Sequence, residues 1–65
     1  MLVLTRRVGE SILIFPSDEL SPGTLVSALF GDGPIQVTLT RTNGNQARIG
    51  IVAPAALTIA REELA

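Results

Sequence analysis

The first residues of the chain have the alternation of a β-strand. Residues 2–7 read Leu-Val-Leu-Thr-Arg-Arg, an apolar run that ends in two adjacent arginines. Successive side chains of a strand point to opposite faces, so Arg6 and Arg7 are expected on different faces of a sheet. Residues 8–10, Val-Gly-Glu, predict a tight turn because glycine adopts turn conformations readily. A second strand is predicted over residues 11–15.

The middle of the chain has a helical pattern. Ser21 followed by Pro22 is a typical helix start, because serine caps the first turn and proline is tolerated at the first helical position. Gly31 is a typical stop. One short amphipathic helix is therefore predicted at about 22–30, although Gly23 disfavours it. Its apolar positions, expected to cover the sheet or else to bind a partner, are Leu25, Val26, Leu29 and Phe30.

Three further strands are predicted in the second half of the chain. Residues 35–40 alternate with period two, and Asn43-Gly44 is a strong hairpin signal. Residues 46–52 would pair back as the fourth strand, and Ala53-Pro54 would end it because proline cannot donate to a ladder. Residues 57–61 would form the fifth strand. The predicted fold is mainly β with one short inserted helix.

Size and composition predict an oligomer. The chain has 65 residues, expected to form one domain over residues 1–65, and 46% of them are hydrophobic. Domains this small usually depend on disulfides, metals or association. Cysteine and histidine are absent, which excludes disulfides and the common zinc sites. We therefore expect a homo-oligomer, most simply a two-fold dimer.

Charge and residue types narrow the function. The five basic residues are all arginine, and six acidic residues give a net charge of −1. A protein that binds nucleic acid mainly through phosphates is usually basic, so any such binding here depends on a few placed arginines. Arginine suits planar, bidentate recognition. Without histidine or cysteine the usual bases and nucleophiles are missing, so neither an enzyme nor a cofactor is expected.

The expected location is cytoplasmic. No apolar run approaches the ~20 residues of a membrane-spanning helix. A secretory signal has basic residues first and an apolar core second, and here the order is reversed.

The two ends of the chain share a pattern. Residues 4–6, Leu-Thr-Arg, and residues 59–61, Ile-Ala-Arg, each place an aliphatic side chain and an arginine on one face of a strand. Side by side, these strands would form an aliphatic floor with arginines at its edge, a surface that suits unpaired bases. The alternatives are solvated strand ends, core positions for the aliphatic residues, and an ion pair between Arg61 and the neighbouring glutamates.

Three segments resemble one known family. They are MLVLTRRVGESI at 1–12, GNQARIGIVAP at 44–54 and IAREEL at 59–64. In these segments the chain resembles the carbon storage regulator (CsrA/RsmA) family of small dimeric RNA-binding proteins. The usual member has its helix after the fifth strand, whereas the segment over 15–31 resembles the RsmN-like branch, with a helix between strands two and three. The resemblance implies a five-stranded antiparallel, intertwined homodimer.

The resemblance also implies a ligand. It would be single-stranded GGA, typically ANGGA in a hairpin loop of an mRNA 5′ leader, where the bound protein acts as a repressor or controls mRNA stability. Small regulatory RNAs with GGA motifs would sequester the protein, and some members of the family also bind a protein antagonist; DNA is not expected as a ligand. Each site would join the first strand of one subunit to the last strand of the other. Carried over by position, the RNA-binding residues are Leu4, Arg6, Arg7, Ala53, Pro54, Ile59 and Arg61.

A second hypothesis for the function remains, and the other polar residues have expected roles that do not involve RNA. A protein-interaction module of the same fold, with most RNA binding lost, is the second hypothesis. Ala55-Ala56 stand where a charged pair is common in the family and Ala60 stands where histidine is frequent, so the loss of these polar contacts is expected to lower the affinity for RNA. Arg41 and Arg48 are expected to face solvent or to bind acids across the hairpin, and residues 43–45 to serve mainly as a turn.

Overall fold

Five strands dominate the computed structural model, which describes residues 1–64. A four-residue helix, α1 (Val26–Leu29), lies between the second and third strands. A short 3-10 turn over Glu62–Leu64 follows the last strand. The mainly β class with one short helix is thus confirmed. The strands are β1 (Leu2–Arg7), β2 (Ile12–Pro16), β3 (Gln36–Asn43), β4 (Gln46–Val52) and β5 (Leu57–Arg61).

The strands form two antiparallel sheets. β4 is the central strand of a three-stranded sheet with the order β1-β4-β3, and β2 pairs with β5 in a two-stranded ribbon. Leu4 lies opposite Ile49 in the first sheet, and Ile14 lies opposite Ile59 in the ribbon. Within one protomer, therefore, β1 and β5 are edge strands of different sheets, and each has one unpaired edge.

Glycines with positive φ shape both tight turns. Gly9 has a φ of +88° in a turn closed by the Glu10 N–H, which donates to the Arg7 carbonyl at 3.0 Å. The predicted turn is confirmed, but it sends the chain into the ribbon, because β2 pairs with β5 and not with β1. In the β3–β4 hairpin Gly44 has a φ of +61°, and Asn43 is still paired with Gln46. The hairpin is confirmed, with residues 44 and 45 at its tip.

β3 is longer than its alternation indicates. The alternation predicts a strand over residues 35–40, whereas β3 begins at Gln36 and runs to Asn43, because a bulge at Thr40 lets pairing continue. Leu39 pairs with Ile49 and Arg41 pairs with Arg48, which leaves Thr40 as the extra residue. A bulge resets the alternation, so a strict period-two pattern ends at it although the strand does not.

The helix prediction over 22–30 is wrong in extent and in packing. Ser21 and Pro22 start a turn in which the Thr24 N–H donates to the Ser21 carbonyl at 3.0 Å, and α1 begins only at Val26. Gly31 does not have positive φ, so it is not a left-handed stop. Leu25 and Val26 are 71% and 70% exposed, so α1 does not cover the sheet in the protomer. Four residues are too few to bury an amphipathic face.

The protomer is a thin layer with a very small core. Its Cα extents are 43 × 23 × 14 Å and its radius of gyration is 13.3 Å, against about 11 Å for a compact chain of this length. Its accessible surface is 4842 Å², whereas a compact monomer of this mass has about 4,000 Å². Leu4 and Ile51 are the buried hydrophobic residues, while Val37 and Leu39 remain more than half exposed. Stable domains usually bury a core between two packed layers, and few apolar side chains among residues 1–64 are buried in that way here.

The hairpin tip gives a direct test of the fold. Gly44→Ala is expected to lower the free energy of unfolding by about 1–2 kcal/mol, because a side chain is disfavoured at a positive φ. Urea denaturation at fixed protein concentration measures it. Gly23→Ala is the matched control: Gly23 lies in open space without positive φ, so the change is expected to be neutral or slightly stabilising. Equal effects of the two changes would contradict the hairpin geometry.

Candidate nucleic-acid interface

The three-stranded sheet has one apolar and one polar face. Residues directly opposite each other on antiparallel strands share a face. Leu2, Leu4 and Arg6 of β1 therefore lie on the face that carries Ile51, Ile49 and Ala47 of β4. The other face is polar, and its members include Thr5, Arg7, Gln46 and Arg48. The expected separation of Arg6 and Arg7 is confirmed: Arg6 is buried and Arg7 is exposed.

The side chain of Arg6 lies on the apolar face of the sheet, and its hydrogen bonds connect the sheet to the ribbon. It is only 7% exposed. Its Nη1 donates to the Ser11 carbonyl at 2.9 Å and to Glu63 Oε1 at 2.8 Å, and its Nη2 donates to Glu63 Oε2 at 3.3 Å. Nε donates to the Thr5 carbonyl at 3.2 Å, and Glu10 Oε2 lies 3.7 Å from Nη2. A fork-to-fork pair with Glu63 thus ties the end of β1 to the segment after β5.

This ion pair shifts the pKa values of both of its members. The hydrogen bond with Glu63 raises the pKa of Arg6, assisted by the charges of nearby glutamates and opposed by burial. The hydrogen bond from Arg6 lowers the pKa of Glu63, and a hydrogen bond from the backbone adds to the effect. Both shifts favour the charged forms, so the pair stays ionised at neutral pH.

Arg7 and Arg61 are placed differently from Arg6. Both side chains are exposed, and in the described part of the chain neither forms an ion pair. The ion pair considered between Arg61 and its neighbouring glutamates is therefore not observed. Arg7 ends β1 opposite Gln46, and its backbone N–H donates to Glu10 Oε1 at 2.6 Å, which fixes the turn. Both guanidinium groups are available to a ligand.

The remaining predicted site residues occupy less exposed positions. Leu4 lies in the small core of the sheet. Ile59 is half-buried in the ribbon. Ala53 and Pro54 are half-buried in the turn after β4, where the Leu57 N–H donates to the Pro54 carbonyl at 3.0 Å. Leu4 and Ile59 therefore lie on different sheets, and Ala53 and Pro54 lie in the turn between those sheets. The side chain of Arg6 connects the end of β1 to the segment after β5.

The partners of Arg6 were missed by the sequence-based prediction of the site. Ser11, Glu10 and Glu63 hold the guanidinium, and none of them was predicted to support the site. A signal was available, because Arg6 follows Leu2 and Leu4 on an apolar face. A charged side chain on such a face is seldom buried without a partner of opposite charge.

These features define a small β protein whose edge strands end in exposed arginines. The model of the CsrA global regulator protein family matches residues 1–65. The chain belongs to this family, whose members are post-transcriptional regulators that bind RNA. Over residues 1–64, no helix is long and apolar enough to cross a membrane.

The Arg6–Glu63 pair predicts a pH-dependent stability. The folded-state pKa of Glu63 lies below its usual value of 4.5, so its carboxylate stabilises the folded state above that pH. This stabilisation is lost as the pH falls through the lowered pKa. Wild type is therefore expected to unfold at a higher temperature than Glu63→Gln at neutral pH, and the difference should shrink progressively below pH 4.5.

Thermal unfolding at a fixed protein concentration across this pH range measures the effect. Glu62→Gln is the control, because Glu62 is the adjacent exposed carboxylate and forms no ion pair within residues 1–64. A difference between wild type and Glu63→Gln that does not change with pH would contradict the ionic contribution.

Proposed function

We propose that this chain is a homodimeric, sequence-specific RNA-binding regulator. It recognises GGA, typically ANGGA, in single-stranded hairpin loops of mRNA 5′ leaders and thereby controls translation or mRNA stability. Small regulatory RNAs that carry GGA motifs sequester it. The observation that carries the proposal is the exposure of unpaired Arg7 and Arg61 at the ends of two edge strands, in a member of an RNA-binding family.

The thin protomer supports a composite site. β1 and β5 each have an unpaired edge, and the apolar face of the three-stranded sheet is exposed at Leu2, Val37 and Leu39. A second copy that pairs with these edges and covers this face satisfies both needs at once. It would bring Arg7 of one subunit towards Arg61 of the other, giving two equivalent sites by two-fold symmetry.

The proposed mode of reading RNA does not depend on aromatic stacking. Many proteins stack unpaired bases on aromatic rings, but the two aromatic residues here, Phe15 and Phe30, lie outside β1 and β5. Backbone groups near Ala53 and Pro54 would instead read the guanine and adenine edges. Arg7 and Arg61 would bind phosphate or a base edge with paired donors. Leu4, Ile59 and Arg6 would support these groups from the sheet interior.

The position of the helix supports the RsmN-like branch of the family. α1 lies between β2 and β3, while a 3-10 turn directly follows β5. The segment that leads to α1 runs from the end of the ribbon to the start of the three-stranded sheet. A longer connection at this point would allow the two subunits to exchange strands in a way that a short turn does not allow.

One observation favours the second candidate function. Leu25 and Val26 of the helical segment are exposed apolar side chains. A protein-interaction module would use these side chains to contact its partner, whereas the proposed recognition of RNA does not involve them. Binding assays with a GGA hairpin separate the two functions, since an interaction module that has lost RNA binding would ignore the hairpin at micromolar concentration.

The composite site requires a dimer. We expect the mass in solution, measured by light scattering, to be twice the chain mass over the concentrations used for RNA binding. The physical reason is the exposed apolar face, which a monomer leaves in water. A stable monomer that still binds the GGA hairpin would contradict the composite site.

Arg61 gives the sharpest test of RNA recognition. Arg61→Ala is expected to weaken binding to an ANGGA hairpin at least tenfold, or ~1.4 kcal/mol, because a charge-assisted contact is lost. Fluorescence anisotropy with labelled hairpin measures the affinity. Ser27→Glu, on exposed α1, makes the same change in net charge and is expected to leave the affinity unchanged. Equal affinities of wild type and Arg61→Ala would rule out this role.

A further inference from the structure

Two arginines lie directly opposite each other on the polar face of the sheet. Arg41 of β3 pairs in register with Arg48 of β4, and both side chains are exposed. Like charges in this position repel and destabilise the strand pairing. In the described part of the chain neither guanidinium forms an ion pair or a side-chain hydrogen bond to offset that repulsion.

The bulge in β3 creates this arrangement. Leu39 pairs with Ile49 on the apolar face, so without the bulge Thr40 would lie opposite Arg48 and Arg41 would fall on the apolar face. The extra residue turns Arg41 to the polar face instead, and the Thr40 hydroxyl donates to the Arg48 carbonyl at 3.1 Å. Bulges commonly re-aim a side chain in this way. A local irregularity therefore places a second positive charge opposite the first.

The strands of this sheet contain no acidic residue to balance these arginines, although the Glu10 carboxylate accepts a hydrogen bond from the backbone N–H of Arg7 at the end of β1. β1, β3 and β4 contain four of the five arginines of the chain and no aspartate or glutamate. Arg6 points to the apolar face, which leaves Arg7, Arg41 and Arg48 on the polar face. Arg48 lies opposite Thr5, two residues before Arg7 on the same side of β1. The polar face is strongly positive although the net charge of the chain is −1.

The face is also shaped to accept a ligand. A concavity of about 270 Å³ lies over the Arg41–Arg48 pair. Hydroxyl and amide groups of Thr5, Asn43 and Gln46 border it and can act as neutral hydrogen-bond donors beside the guanidinium groups. Side chains directly opposite each other have Cβ atoms about 5 Å apart, so both arginines can reach one phosphate or two successive phosphates.

We propose that Arg41 and Arg48 form a phosphate-binding face, continuous with Arg7, for the RNA backbone that flanks the recognised loop. This inference rests on the proposed RNA function and extends the contact from the loop to its stem or flanking strand. An RNA backbone fits better than an acidic protein segment, because most of the side chains that line the concavity can donate hydrogen bonds, although Ala47 also lines it, and because Gln46 lies opposite the proposed loop-binding Arg7. The pair contributes affinity and salt dependence, and the loop contacts keep the sequence preference.

The test compares two ANGGA hairpins with identical loops. One has a short stem, and the other has a stem longer by one helical turn. Arg41→Gln is expected to weaken binding of the long hairpin about fivefold. It should also lower the slope of log affinity against log salt by about 0.9, the value for one phosphate contact on a duplex. Arg41→Lys, which keeps the charge, is expected to restore most of both quantities.

Two controls separate this face from the loop site and from a general charge effect. Ser27→Glu lowers the net charge by the same amount outside the sheet and should leave the salt slope unchanged. The unfolding temperature of Arg41→Gln should stay the same or rise, because a repulsive cross-strand pair is removed. A merely structural role for Arg41 would lower it.

The outcomes are distinguishable from failure of the proposed function. If wild type binds neither hairpin, the RNA function itself is wrong. If wild type binds both hairpins and Arg41→Gln changes neither the affinity nor the salt slope, the phosphate-binding face is wrong while the loop recognition stands. If wild type binds an acidic peptide and Arg41→Gln leaves the binding of both hairpins unaffected, the face belongs to a protein partner and the inference is overturned.

Discussion

The hydrogen bonds of the buried Arg6 guanidinium hold the three-stranded sheet and the ribbon in position relative to each other. The strand pairings hold each sheet together internally, but they do not join the three-stranded sheet to the ribbon. Arg6 does so, because its donors reach Ser11 before β2 and Glu63 after β5. A buried arginine that lost these acceptors would be left with unpaired donors, which is costly. The same alternation that buries Arg6 exposes Arg7, so one pair of adjacent arginines supplies both a structural ion pair and the exposed guanidinium of the proposed RNA site.

A second constraint is the thickness of the protomer. The chain is only 14 Å deep along its shortest axis, and on the apolar face of its three-stranded sheet Leu4 and Ile51 are buried while Val37 and Leu39 remain exposed. Burial of apolar surface is the main favourable term in folding, so in the proposed dimer a chain with this shape would gain much of its stability by association. Folding, assembly and completion of the proposed RNA site would then be coupled, since the unpaired edges of β1 and β5 belong to the same structure as the exposed part of the apolar face.

Local patterns predicted the strands well and predicted the irregular features poorly. β1, β4 and β5 have the expected bounds, and β2 is shifted by one residue, because alternation and proline are local signals. The bulge at Thr40 depends on how β3 fits β4, and no local pattern marks it. The partner of Arg6 is separated from it by 57 residues, so its identity is a property of the tertiary fold. The helix prediction failed because Ser21-Pro22 stabilises a turn as readily as a helix start.

The distribution of charge explains how a slightly acidic protein can be suited to RNA. All six acidic residues lie outside the five strands, in turns, connecting segments and the 3-10 turn, whereas all five arginines lie within strands. The overall charge therefore limits non-specific attraction to phosphate, while the sheet keeps a concentrated positive face. An RNA gains from that face only when its shape brings phosphates against the sheet. Selectivity would then come from the placement of a few arginines rather than from their number, which is why net charge alone is a poor guide to the ligand of this chain.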